Sequence, residues 1–266
     1  MALIEKPRAF DLLGNIAVVK FPENFPEKEK INFAKNLLKE IKSIKTIIEK
    51  TGKVKGRLRK FDFKYLAGEK ISEVLYKENN CVFRFDIGTT YFSPRLSNER
   101  KEIASEIKEN EIVLVMFAGV SPYSIVIAKN SKAKKVYSNE INRQANKYAK
   151  LNIELNNLND KVELIPGDIK KVAFKLTEKN MKFDVIVMPR PQLKETFLKY
   201  AFMLSKKGTR IYYYDFCPAD KVNEVFEKIK KEATNNNRKI KIIHFKKAGE
   251  IAPYKFRIRV DFKVLN

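Results

Sequence analysis

The sequence predicts an α/β fold with a parallel sheet, preceded by a small α+β domain. From about residue 96 onward, apolar strands alternate with helical patterns, which is typical of a parallel sheet with helices on both faces. Residues 11–95 lack the long apolar runs of such a sheet and favour a small, largely antiparallel unit. We therefore expect two domains, residues 1–95 and residues 96–266.

The first region is predicted to contain one helix among several strands. Residues 15–21 form a strand candidate, and residues 27–43 place apolar side chains at helical spacing. Residues 45–50 and 54–66 alternate as strands do. The stretch "EVLYKENNCVFRFDI", residues 73–87, predicts a β-hairpin with its turn at "ENN".

The second region is predicted to begin with a helix over residues 95–110, with Ser97 or Asn98 as its N-cap. The elements that follow are predicted as strand 111–117, helix 122–131, strand 134–140, helix 142–157, strands 161–168 and 183–188, helix 194–206, strand 209–216, helix 218–233, and strands 239–245 and 254–264. The last two strands are expected to pair antiparallel.

The charge balance favours a polyanionic partner. The chain carries 55 Lys and Arg against 32 Asp and Glu, a net charge of +23. Nucleic acid is the first candidate for such a surface. The alternative is the highly charged surface of a thermophile, which raises both signs of charge. That alternative accounts for the 33% of residues that are charged but not for the excess of basic over acidic residues.

Several other protein classes are disfavoured. No apolar run approaches the ~20 residues that span a bilayer, and Glu5 and Pro7 lie where a signal peptide needs apolar residues. We therefore expect a cytoplasmic protein. Cys81, Cys217 and His244 stand far apart in sequence and suggest neither a disulfide framework nor a zinc site. We expect no metal, and both cysteines are predicted to be small buried residues.

Three predicted strand ends carry residues suited to a nucleoside. In an open α/β sheet, ligands bind beyond the carboxyl ends of the strands. Gly119 permits close backbone approach, and the helix N-terminus after it favours a carboxylate. Glu140 follows 21 residues later, where a carboxylate would accept hydrogen bonds from ribose hydroxyls. Asp168 ends the third strand and is suited to an exocyclic amine of a base.

Each of these signals is weak alone, because a strand-end acid is often a helix cap and a lone glycine often a turn. The G-x-G-x-x-G pattern is absent, since Ser121 and Ser124 follow Gly119, and a nucleoside without pyrophosphate fits better. Their order and spacing, with the terminal antiparallel pair, resemble a class I S-adenosylmethionine-dependent methyltransferase. That class has a Rossmann-like mixed sheet with an antiparallel terminal strand.

A closer resemblance covers nearly the whole chain. The segments that carry it are "LLGNIAVVKFP" (12–22), "GRLRKFD" (56–62), "TYFSPRLSNERKEI" (90–103), "VMFAGVSPYSIVIAK" (115–129), "VYSNEIN" (136–142), "NIELNNL" (152–158) and "IAPYKFRIRVDFKV" (251–264). Together they resemble the archaeal/eukaryal tRNA (guanine-37 N1)-methyltransferase family, including its archaeal wyosine-pathway members. The resemblance implies methyl transfer from S-adenosylmethionine to guanosine 37 in the anticodon loop of tRNA, by a monomer.

The resemblance also implies a set of site residues. The cofactor pocket would be lined by Phe117, Ala118, Gly119, Glu140, Asp168 and Pro189. Glu99, Arg59 and Tyr91 would be catalytic and face the guanine. The remaining contacts to the substrate would come from Arg95, Arg57, Lys60 and Pro191.

The chemistry asks for such a set. N1 of guanine carries a proton, so a base must remove it, and a donor at O6 must hold the developing charge. Glu99 is the best candidate for the base and Arg59 for the O6 partner. Alternatively, Glu99 lies on a solvated helix face and Arg59 contacts phosphate. Residues 53–64 hold six basic residues and two phenylalanines around one acid, a composition that favours an RNA-binding surface.

The chain departs from the family pattern at four places. Val115 stands where an acid is usual and Ser121 where a second glycine is usual. Pro189-Arg190-Pro191 replaces Asn-Leu-Pro, which removes an amide expected to hold the base, and Arg190 is expected to point into solvent. The chain begins near the family's middle domain, so we expect the N-terminal domain that grips the tRNA elbow to be absent.

Three functions remain open on this evidence. The first is methyl transfer to N1 of guanosine 37, with a wyosine precursor as an open second substrate. The second is transfer of the aminocarboxypropyl group from the same cofactor. The third is RNA binding by a methyltransferase fold that has lost activity. Retention of Tyr91 and of "SPRLSNER" (93–100) with Glu99 favours the first.

Overall fold

A computed structural model of the chain describes residues 10–52, 62–252 and 254–266. Their strands form a four-stranded sheet, a two-stranded hairpin and a seven-stranded sheet. No helix in these ranges is long and apolar enough to cross a membrane.

The four-stranded sheet forms from the N-terminal region. Its elements are β1 (Phe10–Leu13), β2 (Ile16–Val19), α1 (Glu27–Glu40), β3 (Thr46–Lys50) and β4 (Phe63–Gly68). Adjacent strands follow chain order, and the β1–β2 and β3–β4 pairs are antiparallel. The β2–β3 pair is parallel, because α1 supplies the crossover between them. The predicted antiparallel character therefore holds for two of the three pairs.

The predicted hairpin is confirmed as β5 (Glu73–Glu78) and β6 (Cys81–Asp86). Its two-residue turn places Asn79 and Asn80 at φ values of 47° and 59°. Asparagine tolerates this left-handed region better than most residues, and two such residues in succession are typical of a type I′ hairpin turn. The local sequence thus determines the register of this pair.

The rest of the chain builds the seven-stranded sheet and its helices. These elements are α2 (Ser97–Glu106), β7 (Ile112–Met116), α3 (Pro122–Asn130), β8 (Lys135–Glu140), α4 (Arg143–Leu155), β9 (Val162–Pro166), α5 (Ile169–Glu178), β10 (Phe183–Met188), α6 (Leu198–Leu204), β11 (Ser205–Pro218), α7 (Val222–Asn235), β12 (Ile240–Ala252) and β13 (Lys255–Val264). The strand order is β12-β13-β11-β10-β7-β8-β9. Strands β7 to β11 are parallel, and β13 is antiparallel to both of its neighbours. The predicted mixed sheet is confirmed.

Strand β10 shows how the sheet separates two apolar layers. Val185 and Val187 pack in one cluster with residues of α3 and α4, whereas Ile186 and Met188 pack in the other with residues of α5, α6 and α7. All four side chains are fully buried. A strand with both faces covered needs an unbroken apolar run, as this sequence has.

Three predictions about helices were wrong. Helix α5 was not predicted, although four buried apolar residues recur at helical spacing after its N-cap, Asp168. Helix α2 begins at Ser97 and follows a 3₁₀ turn, so neither Ser97 nor Asn98 is its cap. Helix α6 begins at Leu198 rather than residue 194, because the preceding segment adopts a loop.

The hairpin is held against the larger sheet by two asparagines of the α4 segment. The Oδ1 atom of Asn156 accepts the backbone N–H of Val82 at 2.9 Å, and that of Asn152 accepts the N–H of Arg84 at 2.6 Å. The hairpin thus joins the two predicted domains.

Candidate active site

A cleft of about 1000 Å³, counted to its open mouth, lies at the carboxyl ends of β7 to β10. This is the edge at which open α/β sheets bind ligands. Eight of the predicted site residues line it: Tyr91, Phe117, Ala118, Gly119, Glu140, Asp168, Pro189 and Pro191. They come from separate segments that only the fold brings together.

The turn between β7 and α3 has an unusual backbone. Phe117, Gly119 and Ser121 have φ values of 60°, 59° and 66°, in the left-handed region. A Cβ at Gly119 would lie 3.4 Å from the carbonyl oxygen of Tyr91, so the glycine allows the chain to pass closely there. The turn directs the N-terminus of α3 towards the cleft. Helix N-termini favour anionic groups such as carboxylates.

Ser121 occupies the place where the family pattern has a second glycine. Its side chain is fully buried, and its hydroxyl lies 2.8 Å from that of Ser138 on β8. Ser124 donates to the same Ser138 oxygen at 2.8 Å. These hydrogen bonds stabilise a serine in a conformation that glycine adopts more easily.

Glu140 ties the first two strand ends together. Its carboxylate accepts the backbone N–H of Gly119 at 2.8 Å and that of Asn142 at 2.7 Å. Its backbone carbonyl accepts the N–H of Gly167, which follows β9, at 2.8 Å. The ends of β7, β8 and β9 are thus linked through one residue. Carboxylate oxygens accept several hydrogen bonds at once, so this residue is suited to ribose hydroxyls.

Asp168 is both a helix cap and a rim residue. Its Oδ1 atom accepts the backbone N–H of Lys170 at 3.0 Å, at the start of α5, and its side chain lines the cleft. The cap explains why the backbone turns sharply here. It also fixes the carboxylate at the edge of the cleft.

The prediction that Arg190 points into solvent was wrong. The side chain is 2% exposed, and its Nη2 atom lies 2.6 Å from Oδ1 of Asp215 on β11. Its Nη1 atom donates to the carbonyl oxygens of Pro191, Leu193 and Glu195. The loop after β10 therefore folds around this guanidinium, and Pro189 and Pro191 form a rigid rim.

Glu99 is buried rather than solvated. Its carboxylate accepts hydrogen bonds from Tyr214 at 3.0 Å and from Arg259 at 3.1 Å, and it contacts the Lys246 ammonium. The carboxylate therefore lies between two cations and a tyrosine hydroxyl. Glu99 is not among the described residues that line the cleft, whereas Tyr214 is. The Tyr214 hydroxyl therefore connects Glu99 to the cleft.

Two tyrosines form a hydrogen-bonded pair in the cleft wall. Tyr123 donates from its hydroxyl to that of Tyr214 at 3.1 Å. Burial raises the pKa of Tyr123 to about 12 and raises the pKa of Tyr214 well above its usual range. Both hydroxyls therefore keep their protons near neutral pH.

The remaining predicted residues lie elsewhere. Arg95 is exposed, and its guanidinium contacts the Asp11 carboxylate at 2.8 Å. Arg57, Arg59 and Lys60 lie outside the described residues.

Sequence reasoning missed several cleft residues, including Asn142, Tyr123, Tyr214 and Arg257. Asn142 caps α4 by accepting from Gln144, a role that its position before the helix would have indicated. The other three carry no local signal, because long-range strand and helix packing brings them to the cleft.

Two family models match the chain. Residues 74–243 match the TRM5/TYW2 methyltransferase domain, and residues 2–71 match the TYW2 N-terminal domain. The chain belongs to the TRM5/TYW2 methyltransferase family. The resemblance noted from the sequence is thereby confirmed.

Curated relatives within the TRM5/TYW2 family carry more than one activity in their names. The tRNA (guanine(37)-N(1))-methyltransferase Trm5b of Pyrococcus abyssi is 33% identical, over 97% of this chain and 75% of the relative. The tRNA (guanine(37)-N(1))/4-demethylwyosine(37)-methyltransferase Taw22 of Nanoarchaeum equitans is 32% identical, over 97% and 100%. The tRNA(Phe) (4-demethylwyosine(37)-C(7)) aminocarboxypropyltransferase of Methanocaldococcus jannaschii is 30% identical, over 96% and 97%.

Solved structures from the TRM5/TYW2 family share the fold over nearly the whole chain. Trm5b from Pyrococcus abyssi superimposes with a TM-score of 0.85 at 32% identity, covering 98% of this chain and 76% of the other. A complex of aTrm5 with tRNALeu gives 0.83 at 28% identity, covering 97% and 72%. TYW2 of M. jannaschii in complex with AdoMet gives 0.73 at 25% identity, covering 97% and 100%.

Proposed function

We propose that this protein is a tRNA (guanine37-N1)-methyltransferase that transfers the methyl group of S-adenosylmethionine to N1 of guanosine 37. One observation carries the proposal: residues from separate segments line one cleft, at the sheet edge where such a cofactor is expected. Relatives named for this activity match the chain over nearly its whole length.

The residues of the cleft fit S-adenosylmethionine. The backbone turn at Gly119 and the N-terminus of α3 suit the carboxylate of the methionine part. Glu140 is placed to accept from the ribose hydroxyls, and Asp168 from the exocyclic amine of adenine. Phe117, Ala118 and Pro189 supply apolar walls. When bound, the cofactor supplies an electrophilic methyl group.

The proposed base is Glu99, acting through Tyr214. A general base must reach the proton directly or through one intervening group. The Tyr214 hydroxyl donates to Glu99 and lines the cleft. As N1 of guanine loses its proton to the Tyr214 oxygen, the tyrosine proton passes to the Glu99 carboxylate. The high pKa of Tyr214 prevents loss of this proton before substrate arrives.

The remaining predicted residues are assigned to the tRNA. Tyr91 and Pro191 line the mouth of the cleft and would contact the guanine. Arg59 would donate to O6, while Arg57, Lys60 and the exposed Arg95 would contact phosphates of the anticodon loop. The net charge of +23 and a solved relative in complex with tRNA support this partner.

The proposed tRNA substrate also suggests where the protein acts, its oligomeric state and the role of each domain. A tRNA-modifying enzyme of this kind would act in the cytoplasm as a monomer and without a metal ion. Residues 1–95 would contribute mainly RNA contacts and residues 96–266 the catalytic machinery. Hairpin residues share one apolar cluster with residues of the four-stranded sheet and of the larger sheet, which would hold the two in one orientation.

A second candidate substrate is a wyosine precursor at the same nucleotide. The observation that favours it is the rim of Pro189 and Pro191, which lacks the side-chain amide of the usual Asn-Leu-Pro pattern. A rim without that amide would accept a modified base more readily. Pro189→Asn should shift the preference towards guanosine, measured as the ratio of rates on the two tRNAs. An unchanged ratio would refute this role for the rim.

The donated group distinguishes the proposed function from its alternatives. The protein is incubated with unmodified tRNA and, separately, with tRNA that carries 4-demethylwyosine at position 37. The S-adenosylmethionine is labelled either on the methyl group or on the aminobutyrate chain. Label from the methyl group alone is the expected result. Label from the chain alone would identify an aminocarboxypropyl transferase. The absence of both cofactor binding and transfer would indicate an RNA-binding protein without activity.

A further inference from the structure

Four arginines are buried in the described part of the chain, and one of them differs from the rest. Arg100 pairs with Glu78, Arg190 with Asp215 and Arg259 with Asp261. Arg257 is 8% exposed, yet it makes no hydrogen bond or ion pair with any described residue. Its nitrogens are not among the fully enclosed polar atoms of the described residues, so the guanidinium faces the open space of the cleft. A cation in this position is placed to bind an acceptor that arrives with a ligand.

Arg257 lies above the cofactor rim on an extension of the sheet. Strand β10 ends at Met188, which pairs with Tyr213 of β11. Strand β11 continues past this point, and Arg257 of β13 pairs with Phe216, three residues beyond Tyr213. At about 3.3 Å per residue, this level is ~10 Å above the strand end. Arg257 therefore lines the cleft from the side where a substrate base enters.

A neighbouring aromatic ring holds the Arg257 guanidinium in position. The guanidinium lies over the Phe216 ring, 5.3 Å from the ring centroid. Arg259 lies two residues along the same face of β13 and pairs with Glu99 and Asp261. The acids on this face are thus already bound to another arginine. Arg257 forms no ion pair with these acids and lines the cleft.

The rim at the end of β10 supplies no donor of its own. Pro189 and Pro191 have no N–H, and Arg190 donates to Asp215 and to loop carbonyls instead of to the cleft. A substrate base that enters between this rim and β13 therefore meets its side-chain donors on the β13 side. Guanine presents the acceptors O6 and N7 on one edge, which an arginine matches with two hydrogen bonds.

We propose that Arg257 donates to O6 of the guanine to be methylated, as a second donor beside Arg59, and thereby helps to select guanine. The proposal rests on the function proposed above and adds a specificity-determining residue to it. As N1 loses its proton, negative charge develops on O6, and a fixed guanidinium stabilises that charge. Adenine presents an amino donor at the same position, which would face the donors of Arg257. Arg257 thus supplies the donor that the proline rim lacks.

The test measures binding, so that it does not depend on turnover. Two tRNA transcripts carry either guanosine or 2-aminopurine riboside, which lacks O6, at position 37. Their affinities are measured in the presence of S-adenosylhomocysteine. The wild type should prefer guanosine by about 10- to 100-fold, the discrimination typical of one good arginine contact to a base. Arg257→Met should lower this preference about tenfold without removing it, because Arg59 and the N1 proton also favour guanosine, and Arg257→Lys should retain more of the preference.

The controls separate this role from others. Arg84→Met, a change at an exposed arginine of the hairpin, should keep the full preference. Affinity for S-adenosylmethionine and the melting temperature of Arg257→Met should stay close to wild type. A wild type that binds both transcripts equally, or an Arg257→Met variant that keeps the full preference of the wild type, would overturn the proposal. A tenfold loss of S-adenosylmethionine affinity in Arg257→Met would also overturn it, because Arg257 would then bind the cofactor carboxylate.

Failure of the proposed function would look different. If Arg257→Met prefers guanosine less strongly than the wild type does, the role of Arg257 stands whichever group the enzyme transfers. If no labelled group is transferred to tRNA while this preference persists, the proposed reaction is refuted. The proposed recognition of guanine by Arg257 would still hold.

Discussion

The Nη2 atom of Arg190 lies 2.6 Å from Oδ1 of Asp215, and both side chains are buried. The pair joins the loop after β10 to β11, its neighbour in the sheet. Asp215 also accepts from the Tyr213 hydroxyl and the Lys228 ammonium. The rim of the cleft thus depends on a buried ion pair, because the loop itself has no regular structure.

Asp215→Asn should destabilise the protein by about 3–5 kcal/mol, since it leaves the Arg190 charge buried without its partner. Urea unfolding measures this loss. Glu227→Gln, which removes an exposed ion pair with Lys230, is the matched control and should change stability by about 1 kcal/mol or less. Equal effects of the two substitutions would show that the buried pair does not hold the rim.

Glu140→Ala should weaken S-adenosylmethionine binding by about 10- to 100-fold. The change removes the acceptor for Gly119 and Asn142 as well as the proposed acceptor for ribose, and hydrogen bonds to charged groups contribute about 1.5–3 kcal/mol. Calorimetry with the purified protein gives the affinity. Glu163→Ala, a half-exposed acid on the neighbouring β9, should bind the cofactor normally. Normal binding by Glu140→Ala would remove Glu140 from the cofactor site.

Glu99→Gln should slow methyl transfer by about 100-fold or more, the range typical of losing a general base. The tRNA affinity should stay nearly intact, because Glu99 lies behind Tyr214 and not on the cleft wall. Single-turnover rates and a binding assay separate the two effects. Glu102→Gln is the control, since Glu102 contacts the same Arg259 and Lys246 but not Tyr214. Unchanged turnover in Glu99→Gln would exclude it as the base.

Stability should fall as the pH rises from about 10 to 12. Burial raises the pKa of Tyr123 to about 12, whereas an unfolded tyrosine has a pKa of about 10. The folded state therefore holds a proton that the unfolded state releases in this window. The stabilisation is complete below pH 10 and is lost as the pH approaches 12. Urea unfolding at several pH values should give a smaller slope for Tyr123→Phe, by up to about 1.4 kcal/mol per pH unit. An identical slope in the variant would contradict this assignment.

Local patterns were sufficient for most of the fold. The bounds of β10 match the predicted strand 183–188 because its residues are apolar on both faces. The hairpin follows from two asparagines in its turn. The cleft residues Gly119, Glu140 and Asp168 were found because each follows a recognisable strand. In these cases the residues that determine the local structure lie within a few positions of it in the sequence.

The features that could not be predicted from the sequence depend on long-range contacts. Nothing near Arg190 indicates burial, because its partner Asp215 lies 25 residues away. Glu99 was singled out from the sequence as the candidate base, but its contacts to Tyr214 and Arg259 come from β11 and β13 and could not be predicted locally. Arg257 was missed because only the pairing of β13 with the extended β11 brings it to the cleft. Such pairs depend on the three-dimensional arrangement of the strands.

The most direct test of the central claim is the identity of the modified nucleoside. A tRNA transcript with guanosine at position 37 and a matched transcript with adenosine there are incubated with the protein and S-adenosylmethionine. Each is then digested to nucleosides for mass spectrometry. We predict 1-methylguanosine from the first transcript and none from the second. An aminocarboxypropyl nucleoside from the first, or 1-methylguanosine from both, would contradict methyl transfer to guanosine 37.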